Sequence, residues 1–131
     1  MQPWQLAWHS GFAPQFTDAE LRALAAALAA DDPALLQGGT THPPPLHVLA
    51  GEPPLKACAL CLPAWRAGGV RTVGGLEDAF LRLLSGAVAL TGDPGAPGYF
   101  LGWFDDTPRP AMLAQLLAEV ELSLSVRRAV A

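Results

Sequence analysis

Residues 99–128 read YFLGWFDDTPRPAMLAQLLAEVELSLSVRR, and this is the stretch on which the fold turns. An aromatic cluster (Tyr99, Phe100, Trp103, Phe104) leads through Asp105, Asp106, Thr107 and Pro108 into the longest helical pattern of the chain. Thr107 can accept a backbone N–H as N-cap. Pro108 suits the first helical position, where its missing N–H is not needed, and two aspartates suit the positive end of the dipole. Leu113, Leu117, Val120 and Leu124 recur at helical spacing with Met112 and Leu116 alongside, a face wide enough for a core. Arg127 and Arg128 close the run with the charge sign that a helix C-terminus prefers. The apolar face also extends to Leu122 and Val126, more surface than one small core covers.

Such a helix must pack on something, and the rest of the chain offers further helices. Trp4, Trp8, Phe12 and Phe16 are spaced by four, so they can line one side of a helix, although Pro3, Gly11 and Pro14 interrupt it. Residues 1–16 therefore read as an ordered, short-helical aromatic arm lying on the body of the fold. Thr17 and Glu20 form a capping box with Phe16 and Leu21 as hydrophobic staple, opening a helix that carries Leu21, Leu24 and Leu28. Asp31, Asp32 and Pro33 end it by about residue 30, because acids at the negative end of a dipole are unfavourable.

Residues 38–54 are rich in Gly and Pro, with the triplet Pro43 to Pro45, and read as a long extended loop that acts as a spacer or a binding surface. Residues 55–67 (LKACALCLPAWRA) read as a helix kinked or broken at Pro63, or as one strand of a hairpin with residues 46–50. Beyond them, Thr72 caps a helix whose stripe is Leu76, Phe80, Leu83, Leu84 and Ala87, with Asp78 placed to pair with Arg82. The expected fold is a compact, mainly α single domain over residues 1–131, a bundle of three to four helices with Pro/Gly-rich connections. The alternative is α+β with a small hairpin at 46–62.

Composition excludes several functions. A net charge of −4 with eight scattered cations does not make a phosphate-tracking surface, so nucleic acid is not an expected partner. No apolar run approaches the roughly 18 residues of a membrane span, and the first residues lack the basic and apolar pattern of a signal peptide, which makes the cytoplasm the expected location. The absence of Ile and Asn, with Lys56 as the sole lysine, reads as a GC-rich and bacterial composition.

Cys58 and Cys61 stand in a Cys-x-x-Cys spacing, which suits zinc or a reversible disulfide. Zinc would need two more ligands, for which only His42, His47 and, further off, His9 are available. The plainer reading is two buried thiols. Residues 69–74 resemble the front of a phosphate loop, but Gly75 and Leu76 stand where Lys and Ser or Thr are required. What survives is an anion held by Arg71 and free N–H groups at the helix start. Asp93, Asp105 and Asp106 are explained better as turn and capping groups than as paired catalytic carboxylates, and no nucleophile elbow surrounds Ser10 or Ser85.

These exclusions favour a non-enzymatic accessory or adaptor protein that binds a protein partner or its own copy, without a cofactor. Its interface candidates are Trp4, Trp8, Trp103 and Phe104, with Leu124 on the C-terminal helix, provided that the aromatics are not consumed by the core. The alternative is a thiol or zinc-binding protein using Cys58 and Cys61 with His42 or His47.

Overall fold

The structure, a computed structural model, describes residues 1–45 and 49–130. Six α-helices are described: α1 (Pro3–Ala7), α2 (Asp18–Ala29), α3 (Leu62–Arg66), α4 (Val73–Thr91), α5 (Ala96–Asp106) and α6 (Arg109–Val130). The fold is mainly α, as expected, but the helix count exceeds the expected three to four. The aromatic arm, the aromatic cluster and the Cys-containing segment each contribute a helix of their own.

The arm is continuous helical backbone of changing pitch, with α1 passing into a π turn (Trp8–Phe12) and a 3-10 turn (Ala13–Gln15). Trp4, Trp8, Phe12 and Phe16 are all buried. Gly11 lets the π turn pass close to α4, since a Cβ there would meet the Ala87 methyl at 3.1 Å and Thr91 Cγ2 at 3.2 Å. At α2 the capping box forms as expected, with Glu20 N–H donating to Thr17 Oγ1 (3.1 Å) and Thr17 N–H to Glu20 Oε1 (3.0 Å).

The aromatic cluster is not a lead-in to α6 but a helix in its own right. Thr107 is extended (φ −82°, ψ 131°) and separates α5 from α6, as the ring of Pro108 disfavours helical backbone in the residue before it. Asp105 and Asp106 consequently belong to the last turn of α5, and α6 starts at Arg109. The α6 stripe is also rotated from the expected phase. Met112, Leu116, Val120 and Ser123 are fully buried, Leu113, Leu117 and Leu124 flank them, and Leu122 points out. Ser123 can occupy the core because its hydroxyl accepts the buried Trp8 indole N–H at 3.2 Å.

Residues 31–45 and 49–58 wrap the bundle and stitch helix ends together. Thr41–His42 (β1) pair antiparallel with Lys56–Ala57 (β2), two residues a side. The hairpin expected at 46–62 is thus replaced by a pairing further out, with Leu49 and Ala50 in a turn and residues 46–48 outside the described region. Pro63 does not kink a helix; it sits in the first turn of α3, where its missing N–H is harmless. Gln37 Nε2 donates to Phe104 O (2.8 Å) and Thr107 O (3.0 Å), satisfying carbonyls freed where α5 ends. Arg109 returns the contact, donating to Asp31 Oδ1 (2.6 Å), Asp32 O (3.0 Å) and Leu35 O (3.0 Å).

The core draws on every helix, and its centre is aromatic. Phe100 meets Trp8 (5.7 Å between ring centroids), Phe12 (5.3 Å), Trp103 (6.1 Å) and Phe104 (6.0 Å), while Trp4 and Trp103 stack at 3.5 Å with planes 4° apart. α6 packs along α2, and α1 lies on α5.

Candidate functional site

Of the interface candidates, Trp4, Trp8 and Phe104 are buried and serve as core, while Trp103 and Leu124 are half-buried beside it. The surface apolar groups lie elsewhere. Met1, Leu6, Leu90 and Tyr99, all exposed, border a groove of about 420 Å³ between α1, the end of α4 and the start of α5. Ala7 and Ala96 form its floor, and Ser10, Thr91 and Asp93 supply polar groups at its edge. Local sequence explains why these side chains face out. The aromatics of the arm recur every four residues, which places Leu6 on the opposite side, and Leu90 lies in the last turn of α4, beyond the buried stripe that ends at Ala87.

A second cluster joins the arm to α6. His9 Nε2 lies 2.5 Å from Glu119 Oε2, His9 Nδ1 lies 3.3 Å from Ser123 Oγ, and Gln5 Nε2 donates to Glu119 Oε1 at 2.8 Å. Ser123 Oγ is also 3.1 Å from Glu119 O, one helical turn back. Serine, imidazole and carboxylate thus stand in a row, beside a shallow pocket of about 380 Å³ that Arg127 and Val126 help to line. The row ties the arm to α6. Ser123 lies inside α6, where neighbouring backbone N–H groups are committed to the helix ladder and are not aimed at a developing oxyanion. Sequence reasoning did not find this set, because its contacts between the arm and α6 join residues 110 to 114 apart and no local spacing marks them.

No protein-family model, curated protein or solved structure matches this chain.

The two cysteines occupy the tight turn between β2 and α3, where Cys61 N–H (3.1 Å) and Leu62 N–H (2.9 Å) donate to Cys58 O. Both are free thiols and both are buried. The interaction of each thiol with the other governs their acidity. With help from the N–H groups of Cys61 and Leu60, and against burial, it holds Cys58 below the ordinary thiol value. The same contact, reinforced by burial, pushes Cys61 far up, and the Cys61 thiol lies 3.6 Å from Leu76 O. His42 is exposed on β1 opposite Lys56, and His47 lies outside the described residues. Among the described residues, no three His, Cys, Asp or Glu side chains gather closely enough to hold a metal ion.

At the start of α4 the N–H groups that an anion beside Arg71 would use are already engaged. Val73 N–H donates to Glu52 O (2.9 Å), Gly74 N–H to Ala50 O (2.8 Å) and Gly75 N–H to Thr72 Oγ1 (3.1 Å), so the wrapping loop and the cap have taken them. The carboxylates are likewise engaged by turns: Asp105 accepts Gly38 N–H and Asp93 accepts Gly95 N–H, each at 2.8 Å. Among the described residues, no helix is long and apolar enough to cross a membrane.

Proposed function

We propose that this chain is an accessory or adaptor protein that acts by binding a protein partner. The observation that carries the reading is the groove bordered by Met1, Leu6, Leu90 and Tyr99, where four exposed large apolar side chains converge on one concavity. A groove of this size and lining accepts two or three apolar side chains of a partner segment, with Asp93 and Ser10 at its edge to orient them. The outer face of α6 offers a second apolar surface. The test compares wild type, Leu6→Glu and Leu90→Glu with Leu81→Glu, an exposed position on α4 outside the groove, as baits in the cells from which the protein comes. A partner enriched by wild type and Leu81→Glu but lost from both groove variants, and then bound by the purified chain with the same pattern, supports the reading. Enrichment indifferent to Leu6 and Leu90 refutes it.

The thiol reading has one observation in its favour, the Cys-x-x-Cys turn that holds two free thiols together, with Cys58 made more acidic beside the Cys61 side chain. Such a pair can close to a disulfide when a peroxide-class oxidant takes two electrons and two protons, at a site that must first open, since both thiols are buried. Intact mass after mild peroxide treatment decides it. A loss of about 2 Da confined to a Cys58–Cys61 disulfide supports thiol chemistry, and an unchanged mass removes it.

A further inference from the structure

We infer that Cys58 is the sulfur that a small hydroperoxide oxidises and Cys61 the one that closes the disulfide behind it, with residues 36–40 as the strap that swings aside to admit the oxidant. The inference rests on the thiol reading and adds what that reading leaves open, the order of the two sulfurs and the way in.

The walls around the Cys turn differ in what holds them. Leu60, Leu62 and Ala64, with Val73 and Leu76 of α4, are all buried, so an opening through them breaks the core. Residues 36–40, which lie along Ala57 and Cys58, include no buried residue. Hydrogen bonds hold them instead. Leu36 N–H donates to Ala57 O (2.9 Å), Thr40 O accepts Cys58 N–H (2.9 Å), Gly38 N–H donates to Asp105 Oδ1 (2.8 Å), and the Gln37 carboxamide reaches Phe104 O and Thr107 O. Buried Leu35 and Thr41 anchor the two ends, and Gly38, at φ +83°, gives the segment between them a backbone free to hinge. Exchanging such hydrogen bonds for water costs less than exposing a core, so this segment opens locally while the rest stays folded.

The strap is bonded to Cys58 through its own N–H, whereas the Cys61 thiol is turned to Leu76 O of α4 at 3.6 Å. Opening therefore uncovers Cys58 first, and Cys58 is also the more acidic thiol, held below its ordinary value by the Cys61 side chain. Its thiolate attacks one oxygen of the hydroperoxide. The O–O bond breaks, the sulfur becomes a sulfenic acid, and the other oxygen leaves as water or an alcohol. The Cys61 thiol then attacks that sulfur, the S–O bond breaks, and the oxygen leaves as water. The turn is already tight enough for the second step: Cys61 N–H donates to Cys58 O at 3.1 Å, and the ends of such a four-residue turn lie within about 7 Å, close to the span of a disulfide.

The test is site-resolved alkylation of the reduced, purified full chain by iodoacetamide, read by peptide mass, together with hydrogen peroxide treatment. Cys58 should alkylate about tenfold faster than Cys61, at a rate nearly flat in low urea, the mark of a local opening. Gln37→Ala removes two strap hydrogen bonds, and Gly38→Ala strains the closed strap at φ +83° without a clash, since no neighbouring atom lies within 4 Å. Each should speed both Cys58 alkylation and disulfide closure about fivefold. Asp18→Ala, which breaks an exposed ion pair to Arg127 instead, should leave both rates unchanged. Under peroxide, Cys61→Ser should gain one oxygen at Cys58, trapped by dimedone, and Cys58→Ser should stay unmodified. Cys61 reacting first, rates indifferent to both strap variants, or alkylation that rises with urea as steeply as global unfolding would each overturn the inference while the thiol reading stands. An unchanged mass after peroxide, in a protein whose Cys58 alkylates through the strap, ends the thiol reading itself and the redox role with it. The alkylation arm uses the native cysteine pair, so it decides even where a cysteine variant fails to fold.

Discussion

Removing the Ser123 hydroxyl should expose how much the contact between the arm and α6 depends on one buried hydrogen bond. In Ser123→Ala, the Trp8 indole N–H remains buried and loses its acceptor at 3.2 Å. An orphaned buried donor costs about 1–3 kcal/mol, and the better helix propensity of alanine returns roughly 0.5 kcal/mol. His9 Nδ1 loses its serine neighbour too, but His9 is part-exposed, so water can replace that contact. The net loss should be about 1–2 kcal/mol, which at the usual urea slope moves the unfolding midpoint down by roughly 0.5–1 M. Trp8→Phe supplies the control. It incurs its own packing loss against Phe16 and Phe100, but it removes the donor, so Ser123→Ala added to Trp8→Phe should cost almost nothing. The double-mutant cycle by urea denaturation should therefore give a coupling of about 1 kcal/mol or more. Additivity within about 0.3 kcal/mol would refute the argument that Ser123 is tolerated in the core because it satisfies Trp8.

Phe100→Ala should cost about 3–5 kcal/mol, a large share of the stability of a chain this size, since its ring contacts four other aromatics; Tyr99→Ala next to it, at an exposed site, should stay within about 0.5 kcal/mol. Chemical denaturation compares the two, and equal losses would contradict the assignment of Phe100 as the hub. Burial raises the Glu77 carboxyl above its ordinary 4.5, with the Thr41 hydroxyl working in the opposite direction. Because the folded value is the higher one, stability contributed by this group falls as pH rises through 4.5 toward that value. Glu77→Gln should therefore melt above wild type at neutral pH and match it below about pH 4. A wild type that melts at or above the variant at neutral pH would refute this.

Helix boundaries with a chemical marker were legible in the residues. Thr17 with Glu20 and Thr72 before Val73 cap as their sequence requires, because a cap is completed within three residues. The helix α5 was not legible. Gly98 and Gly102 depress its intrinsic propensity, and its aromatics look like a cluster until Phe100 and Phe104 are seen facing one core. The candidate site was legible only as a type of surface. The Trp and Phe residues that suggested an interface are the ones best able to fill a core, and they do so, leaving Leu6, Leu90 and Leu122 outside.

By itself the sequence determined a mainly helical chain, where two of its helices start, and that it carries more apolar surface than one small core can bury, since these follow from local hydrogen bonding and from composition. The tertiary structure alone decided which apolar residues remain at the surface. The 22 residues of α6 carry apolar groups on more than one side, and packing decides which are covered: Met112, Leu116 and Val120 meet the core, Ser123 accepts the indole N–H of Trp8 from 115 residues away, and Leu122 is left exposed.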